Sequence, residues 1–279
     1  MTGDAGELGL TRLGLPLLRD LIGARTGLSY EDGREDTLAE RLASVVIDRG
    51  FRSYLDLFYL LKYEDSESDW ARVMDALSVQ ETYFWREIDQ VRAVVDQIVP
   101  SLAARRPGGV IRIWSVPCAT GEEPLSIAML LDEAGWFSRQ SFEIHAGDAS
   151  PLAIARARQA VYRERSFRAL PEAHRLRYFR PVPGGMSPSP DLQARISSWS
   201  VMNLMDPRSM MAVAGAPIVF CRNAFIYFSP AAVRQVVQTI ADAMPSPGYL
   251  CIGAAESLLS ITTAFTLQEI GGAFVYVKR

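Results

Sequence analysis

The run VIRIWSV, Val110–Val116, is rich in β-branched residues, lies between Gly109 and Pro117, and follows the break ARRPGG. It reads as a strand. An apolar helix follows, beginning near Glu122 and continuing through Ser126–Leu131. Phe142–Ala146 reads as a second strand ending at Asp148, and Pro151–Val161 as a helix with proline in its first turn. Further on, Ile218–Cys221 reads as a buried strand, Pro230–Met244 as a helix, and Tyr249–Gly253 as a strand after the turn SPG. Strands that alternate with helices need crossover connections, hence a mostly parallel sheet. The expected class is α/β. The tail, Ala264–Lys278, holds two short strand-like runs joined through Gly271 and Gly272, a candidate closing hairpin.

Residues 1–80 have a different character. Leu13, Leu17, Leu18, Leu21 and Ile22 recur at helical spacing, as do Leu38, Leu42, Val45 and Val46, then Tyr54, Leu57, Phe58 and Leu61, then Val73, Met74 and Leu77. Four short helices and no strand are expected there. Between Phe179 and residue 202 the alternation breaks: PVPGGMSPSP is followed by strand-like Leu192–Trp199. This segment reads either as a few antiparallel strands or as a surface loop.

Composition excludes several classes. A formal charge of −3 argues against a generally basic nucleic-acid binder, and 49% apolar residues support a proper core. Residues 1–80 hold nine basic and fifteen acidic side chains, so the acidity is concentrated there. Three cysteines without a CxxC pair and two histidines suggest neither a disulfide framework nor a metal centre. No apolar run is long enough to span a bilayer, and MTGDAGELGL lacks the pattern of a signal peptide. A reduced, cytoplasmic setting and a monomer are expected.

Four constellations carry candidate chemistry. WSVPCATGEEP places Glu122 and Glu123 at the start of a helix, after a loop with a single glycine. Paired carboxylates repel a pyrophosphate and suit a cationic ligand; equally, they favour the helix dipole. HAGDAS puts Asp148 at a strand end, where an acidic residue binds ribose hydroxyls or caps the next helix. FCRNAFIYF delivers Arg222 and Asn223 to the carboxyl edge of the sheet, with Tyr227 either facing the same crevice or packed in the core. QETYFWRE sets Arg86 beside three aromatics, fit to hold a carboxylate or to stack on Trp85.

In order and spacing, ETYFWRE, IRIWSVPCATGEEPLSIAM, AGDASPLAIARARQAVYRERSFRALPEAHRLRYF, NLMD and FCRNAFIYFSP with PGYLCIGAAES resemble the chemotaxis receptor methyltransferase (CheR) family, from about Leu10 to the C-terminus. The resemblance implies a Rossmann-like class I methyltransferase domain over residues 81–279, an all-helical domain over 1–80, and a small antiparallel β-subdomain inserted at 179–202. It implies S-adenosylmethionine as methyl donor, S-adenosylhomocysteine as product, and the glutamates of a methyl-accepting chemoreceptor or related signalling protein as acceptors. Carried over by motif, cofactor contacts involve Gln80, Thr82, Arg86, Glu123, Asp148, Asn203, Leu204, Arg222 and Asn223, with Arg86 and Tyr227 nearest the transferred methyl.

The chain departs from the family pattern at several positions. Gln80 replaces an Asn, Pro117 a small residue, Leu125 a Tyr, and Ala254–Ala255 a His-Ser pair. The helix ERLASVVIDRG carries only Arg41 and Arg49 where relatives that dock on receptors are arginine-rich. The expected activity is therefore protein-glutamate O-methylation, with a non-catalytic S-adenosylmethionine-binding regulator as the second reading. A methyltransferase acting on RNA or small molecules shares the sheet fold but is disfavoured by FCRN, ETYF and the absence of a basic patch. An NAD enzyme lacks its glycine fingerprint.

Overall fold

The computed structural model describes residues 10–30 and 33–278. The signal-peptide reading of residues 1–9 lies outside them. Four helices form the N-terminal unit: α1 (Leu15–Thr26), α2 (Glu35–Asp48), α3 (Tyr54–Tyr59), extended by a π-turn to Glu64, and α4 (Glu67–Leu77). Their apolar stripes meet in one core around Leu18, Ile22, Leu38, Leu42, Leu57 and Val73, each fully buried. α3 starts in a reciprocal cap, with Ser53 and Asp56 satisfying each other's backbone N–H groups.

After an irregular strap, Ser78–Glu87, a helix runs from α5 (Ile88–Ala93) through a π-helical stretch into α6 (Val99–Arg105). The sheet domain then alternates: β1 (Val110–Ser115), α7 (Glu122–Glu133), β2 (Ser141–Asp148), α8 (Pro151–Gln159), α9 (Glu172–Tyr178), β3 (Phe179–Val182), β4 (Gly185–Pro188), α10 (Pro190–Gln193), β5 (Ile196–Val201), α11 (Pro207–Met210), β6 (Ile218–Phe220), α12 (Pro230–Ala243), β7 (Gly248–Cys251), β8 (Thr266–Ile270) and β9 (Ala273–Lys278). The main sheet is ordered β5-β2-β1-β6-β7-β9-β8, parallel from β5 to β7, with β9 and β8 antiparallel as the closing hairpin.

Successive strand residues point to opposite faces, and both faces are apolar. Ile113, Ile218 and Phe220 pack on one side with Ile127 and Met129 of α7. Trp114, Val219 and Leu250 pack on the other with Val236 and Ile240 of α12. Burial on both sides is what a parallel sheet with helices on each face requires.

One expectation is corrected. The antiparallel sheet is only the β3–β4 hairpin, Phe179–Pro188, and does not extend through residue 202. Ile196–Val201 instead pairs parallel with β2, from Ile144↔Ile196 to Asp148↔Val201, as the edge strand of the main sheet. An edge strand has a free side, so ISSWSV does not need the continuous apolar run of the inner strands.

Candidate active site

The carboxyl ends of β1, β2, β6 and β7 open toward the N-terminal unit, and the crevice lies between them, the usual ligand position of an open α/β sheet. It has two joined chambers. The outer, about 500 Å³, is walled by Gln80, Asp148, Asn203, Leu204, Asn223 and Tyr227, with Arg34, Thr37 and Arg41 from the helical unit. The inner, about 80 Å³, is walled by Thr82, Arg86, Glu123, Asp148, Arg222 and Asn223. All ten positions carried over by motif line one crevice, and Glu122 does not; Asp148 and Asn223 border both chambers.

The two adjacent carboxylates have separate roles. Glu122 turns away from the chamber and accepts hydrogen bonds from the Thr120 hydroxyl (2.6 Å) and the Ser166 hydroxyl (2.9 Å). Burial pushes its carboxyl above the ordinary value, against those two bonds. Glu123 faces the chamber, accepts from the Ser115 hydroxyl at 2.7 Å and lies 3.4 Å from Arg222 Nε. Burial raises its carboxyl too, opposed chiefly by the Arg222 charge.

Arg222 is the hub of the inner chamber. Its side chain is 2% exposed, donates to the Arg86 carbonyl at 2.6 Å and lies 3.6 Å from Glu87 Oε2. Its Nε is buried without a hydrogen-bond partner. Glu87 accepts from Asn223 Nδ2 (3.2 Å) and from the Ala254 N–H (3.0 Å). Arg86 itself is a quarter exposed and lies 4.0 Å from Glu87, with its guanidinium 5.8 Å from the Tyr83 ring rather than stacked on Trp85. Trp85 is buried against His174 instead.

Asp148 does not cap α8; Ser150 does, accepting from the Ala153 N–H. Asp148 accepts one backbone N–H on each oxygen, from Ala119 and Ser150, both at 2.9 Å. Burial raises its carboxyl. A second lone pair on each oxygen stays available to a ligand hydroxyl. Gln80 accepts from Arg156 at 2.7 Å. Asn203 is held from both ends, donating to the Arg25 carbonyl (2.8 Å) and accepting from the Met205 N–H (3.0 Å). Leu204 is buried, and Tyr227 is half-buried at the outer wall rather than in the core.

Four non-glycine residues around the crevice have left-handed backbone: Trp85 (φ 69), Glu87 (φ 47), Ala119 (φ 47) and Asn223 (φ 58). Such strain gathers where surrounding bonds over-determine the geometry, often at functional sites. Ser126 holds the Trp85 N–H and Asp148 the Ala119 N–H. At Asn223 the bonds come from Glu256, which spacing did not single out. Its carboxylate accepts the N–H groups of Asn223 (2.9 Å), Phe225 (2.6 Å), Ile226 (3.3 Å) and Gly253 (2.6 Å), tying the loop after β6 to the loop after β7. Its one sequence signal is a carboxylate shortly past a strand end. All three cysteines are buried, and burial pushes Cys251 up to about 12 and the others well above their ordinary value, so none offers a thiolate.

The site fits S-adenosylmethionine. Inner-chamber carboxylates suit a cation, Arg86 suits a carboxylate, and Pro117, Met202 and Leu204 offer apolar wall to a purine.

Family models match both parts of the chain. The CheR methyltransferase, SAM binding domain, matches residues 80–272, and the CheR methyltransferase, all-alpha domain, residues 14–78. The chain is 29% identical over 273 residues to chemotaxis protein methyltransferase 2 of Vibrio cholerae, covering 98% of this chain and 95% of that one. It is 31% identical over 248 residues to the probable biofilm formation methyltransferase WspC of Pseudomonas aeruginosa, covering 86% of this chain and 58% of that one. Among the described residues no helix is long and apolar enough to cross a membrane, and no group of His, Cys, Asp or Glu is placed to hold a metal. With the helical unit and the S-adenosylmethionine-binding sheet domain matched in sequence order, the chain belongs to the CheR methyltransferase family.

Proposed function

We propose that this methyltransferase esterifies glutamate side chains of a chemoreceptor or a related signalling protein. The observation that carries the reading is the joined crevice. An inner chamber of charged groups opens into an outer one walled by both domains, wide enough for a side chain of another protein. Bound S-adenosylmethionine supplies an electrophilic methyl on a sulfonium that departs as a neutral thioether. In this reading Asp148 holds the ribose, Arg86 the carboxylate of the methionine part, and Glu123 its ammonium.

A glutamate carboxylate is already an anion at neutral pH, so attack on the methyl needs no general base. That agrees with a wall that holds no histidine among the described residues. The chain's task is to align the nucleophile and strip its water. Tyr227 and Asn223 border the place where the acceptor enters, and Tyr227 orients the acceptor carboxylate through its hydroxyl. The names of the relatives, chemotaxis and biofilm formation, support a signalling substrate.

The test incubates the chain with methyl-labelled S-adenosylmethionine and membranes of its host. Label on protein that is released by mild base is expected; base-stable label, or S-adenosylhomocysteine binding without any transfer, overturns the reading. Tyr227→Phe is expected to lower kcat about tenfold or more at unchanged S-adenosylhomocysteine affinity. Arg86→Ala is expected to weaken that affinity as well.

A further inference from the structure

The segment between residues 149 and 182 holds eight arginines and two glutamates, a formal +6 inside a chain of −3, so the rest carries −9. Four of the eight are paired with carboxylates, two of them sharing one. Arg165 and Arg168 clamp Glu81, Arg175 pairs with Glu164 in two bonds, and Arg177 pairs with Asp132. The other four meet no carboxylate among the described residues. Arg156 bonds the neutral Gln80, Arg158 the Trp199 carbonyl, and Arg180 three carbonyls. The side chain of Arg163 is exposed. Arg156 is placed at the crevice: Ala149, just before α8, lines the outer chamber, and Arg156 reaches back to Gln80 at its wall, with Arg158 two residues further along α8 and Arg163 just past its end.

We propose that Arg156, Arg158 and Arg163 form a docking rim for an acidic stretch of the acceptor protein. The inference rests on the reading that the acceptor is a protein bearing glutamates, and adds where it is seated. A glutamate-rich segment is repelled by the acidic remainder of the chain and drawn to this rim, which sets approach and register more than the strength of the bound contact. Anion binding by guanidinium groups requires no further pocket.

The experiment titrates the full chain with poly-L-glutamate, a polymer of the acceptor side chain, and with poly-uridylate, at low and at physiological ionic strength. Poly-L-glutamate is expected to bind and to weaken as salt rises. Arg163→Glu, at an exposed side chain, is expected to weaken it several-fold, and Arg158→Glu with Arg163→Glu about tenfold or more. Arg106→Glu, at the opposite end of the strands, serves as control and is expected to bind as the unmodified chain does. Calorimetric S-adenosylhomocysteine affinity, unchanged in every variant, certifies the fold. Equal losses for Arg106→Glu and Arg163→Glu overturn the rim. So does tighter binding of poly-uridylate than of poly-L-glutamate, which would make the surface one for nucleic acid. If the rim variants bind normally while base-labile label still forms on membranes, only the docking inference falls. If they lose binding and no such label forms, the rim stands and the glutamate-ester reading falls.

Discussion

Arg222 shows how one side chain holds the site. It sits almost fully buried between Glu123, Glu87 and the Arg86 carbonyl. Arg222→Met keeps volume but leaves Glu123 as an uncompensated buried charge, an expected cost of about 3–5 kcal/mol in a urea unfolding curve. Glu123 then takes up a proton more readily, so the deficit shrinks as pH falls. Glu122 gives a separate pH signature. Burial raises its carboxyl above the ordinary 4.5. The folded chain therefore holds that proton more tightly than the unfolded one. Its contribution is fully present below the unfolded pKa and is lost as pH rises through the higher folded value. Glu122→Gln carries no charge at any pH, so it should gain stability on the parent as pH rises across the window above the ordinary carboxylate value. An unfolding midpoint that changes equally at both ends of that window contradicts the assignment.

The loop between β1 and α7 depends on Gly121, whose φ of +97 opens the helix. A Cβ there would lie 2.8 Å from the Trp199 ring and 3.0 Å from the Tyr162 hydroxyl. Gly121→Ala must therefore shift β5 or Tyr162 and accept a left-handed alanine, an expected loss of about 2 kcal/mol together with weaker S-adenosylhomocysteine binding. Thermal unfolding and calorimetry on the same sample check both. The strap Ser78–Glu87 is held element to element: Phe84 donates its N–H to the Ser166 carbonyl (2.9 Å) and packs against Tyr162 and Phe179, while the Trp85 N–H reaches Ser126 (3.2 Å). ETYFWRE was legible as a site segment from its composition. Arg86 was named there with it; that Phe84 and Trp85 anchor the strap and that Glu87 ties it to Asn223 and Ala254 was not, because non-repetitive backbone has no period from which to read side-chain direction. The β5 reading failed for the related reason that an edge strand carries no obligatory apolar pattern.

The crevice exists only because the helical unit is pinned to the sheet domain. Ser29 donates to the Tyr227 carbonyl at 2.8 Å, Ser229 to the Gly27 carbonyl at 3.0 Å, and Asn203 to the Arg25 carbonyl at 2.8 Å. On the other flank Asp75 accepts from the Ser150 hydroxyl and from the Leu152 N–H. Asp75→Ala should loosen that flank and lower S-adenosylhomocysteine affinity about tenfold with little change in far-ultraviolet circular dichroism. Unchanged affinity would place the control of crevice width at the Tyr227 flank alone. The amino-acid order by itself determined what local physics decides: four N-terminal helices from 3.6-residue periodicity, the βαβ alternation, and polar motifs set just past strand ends. Tertiary structure alone decided that Glu256 gathers four backbone donors from two loops, and that Arg156, Arg158, Arg163 and Arg180 meet no carboxylate among the described residues. Those facts depend on partners far apart in the chain, Glu256 with Asn223 and Arg156 with Gln80, brought to 2.9 and 2.7 Å only when the sheet closes, and spacing along a chain carries no record of them.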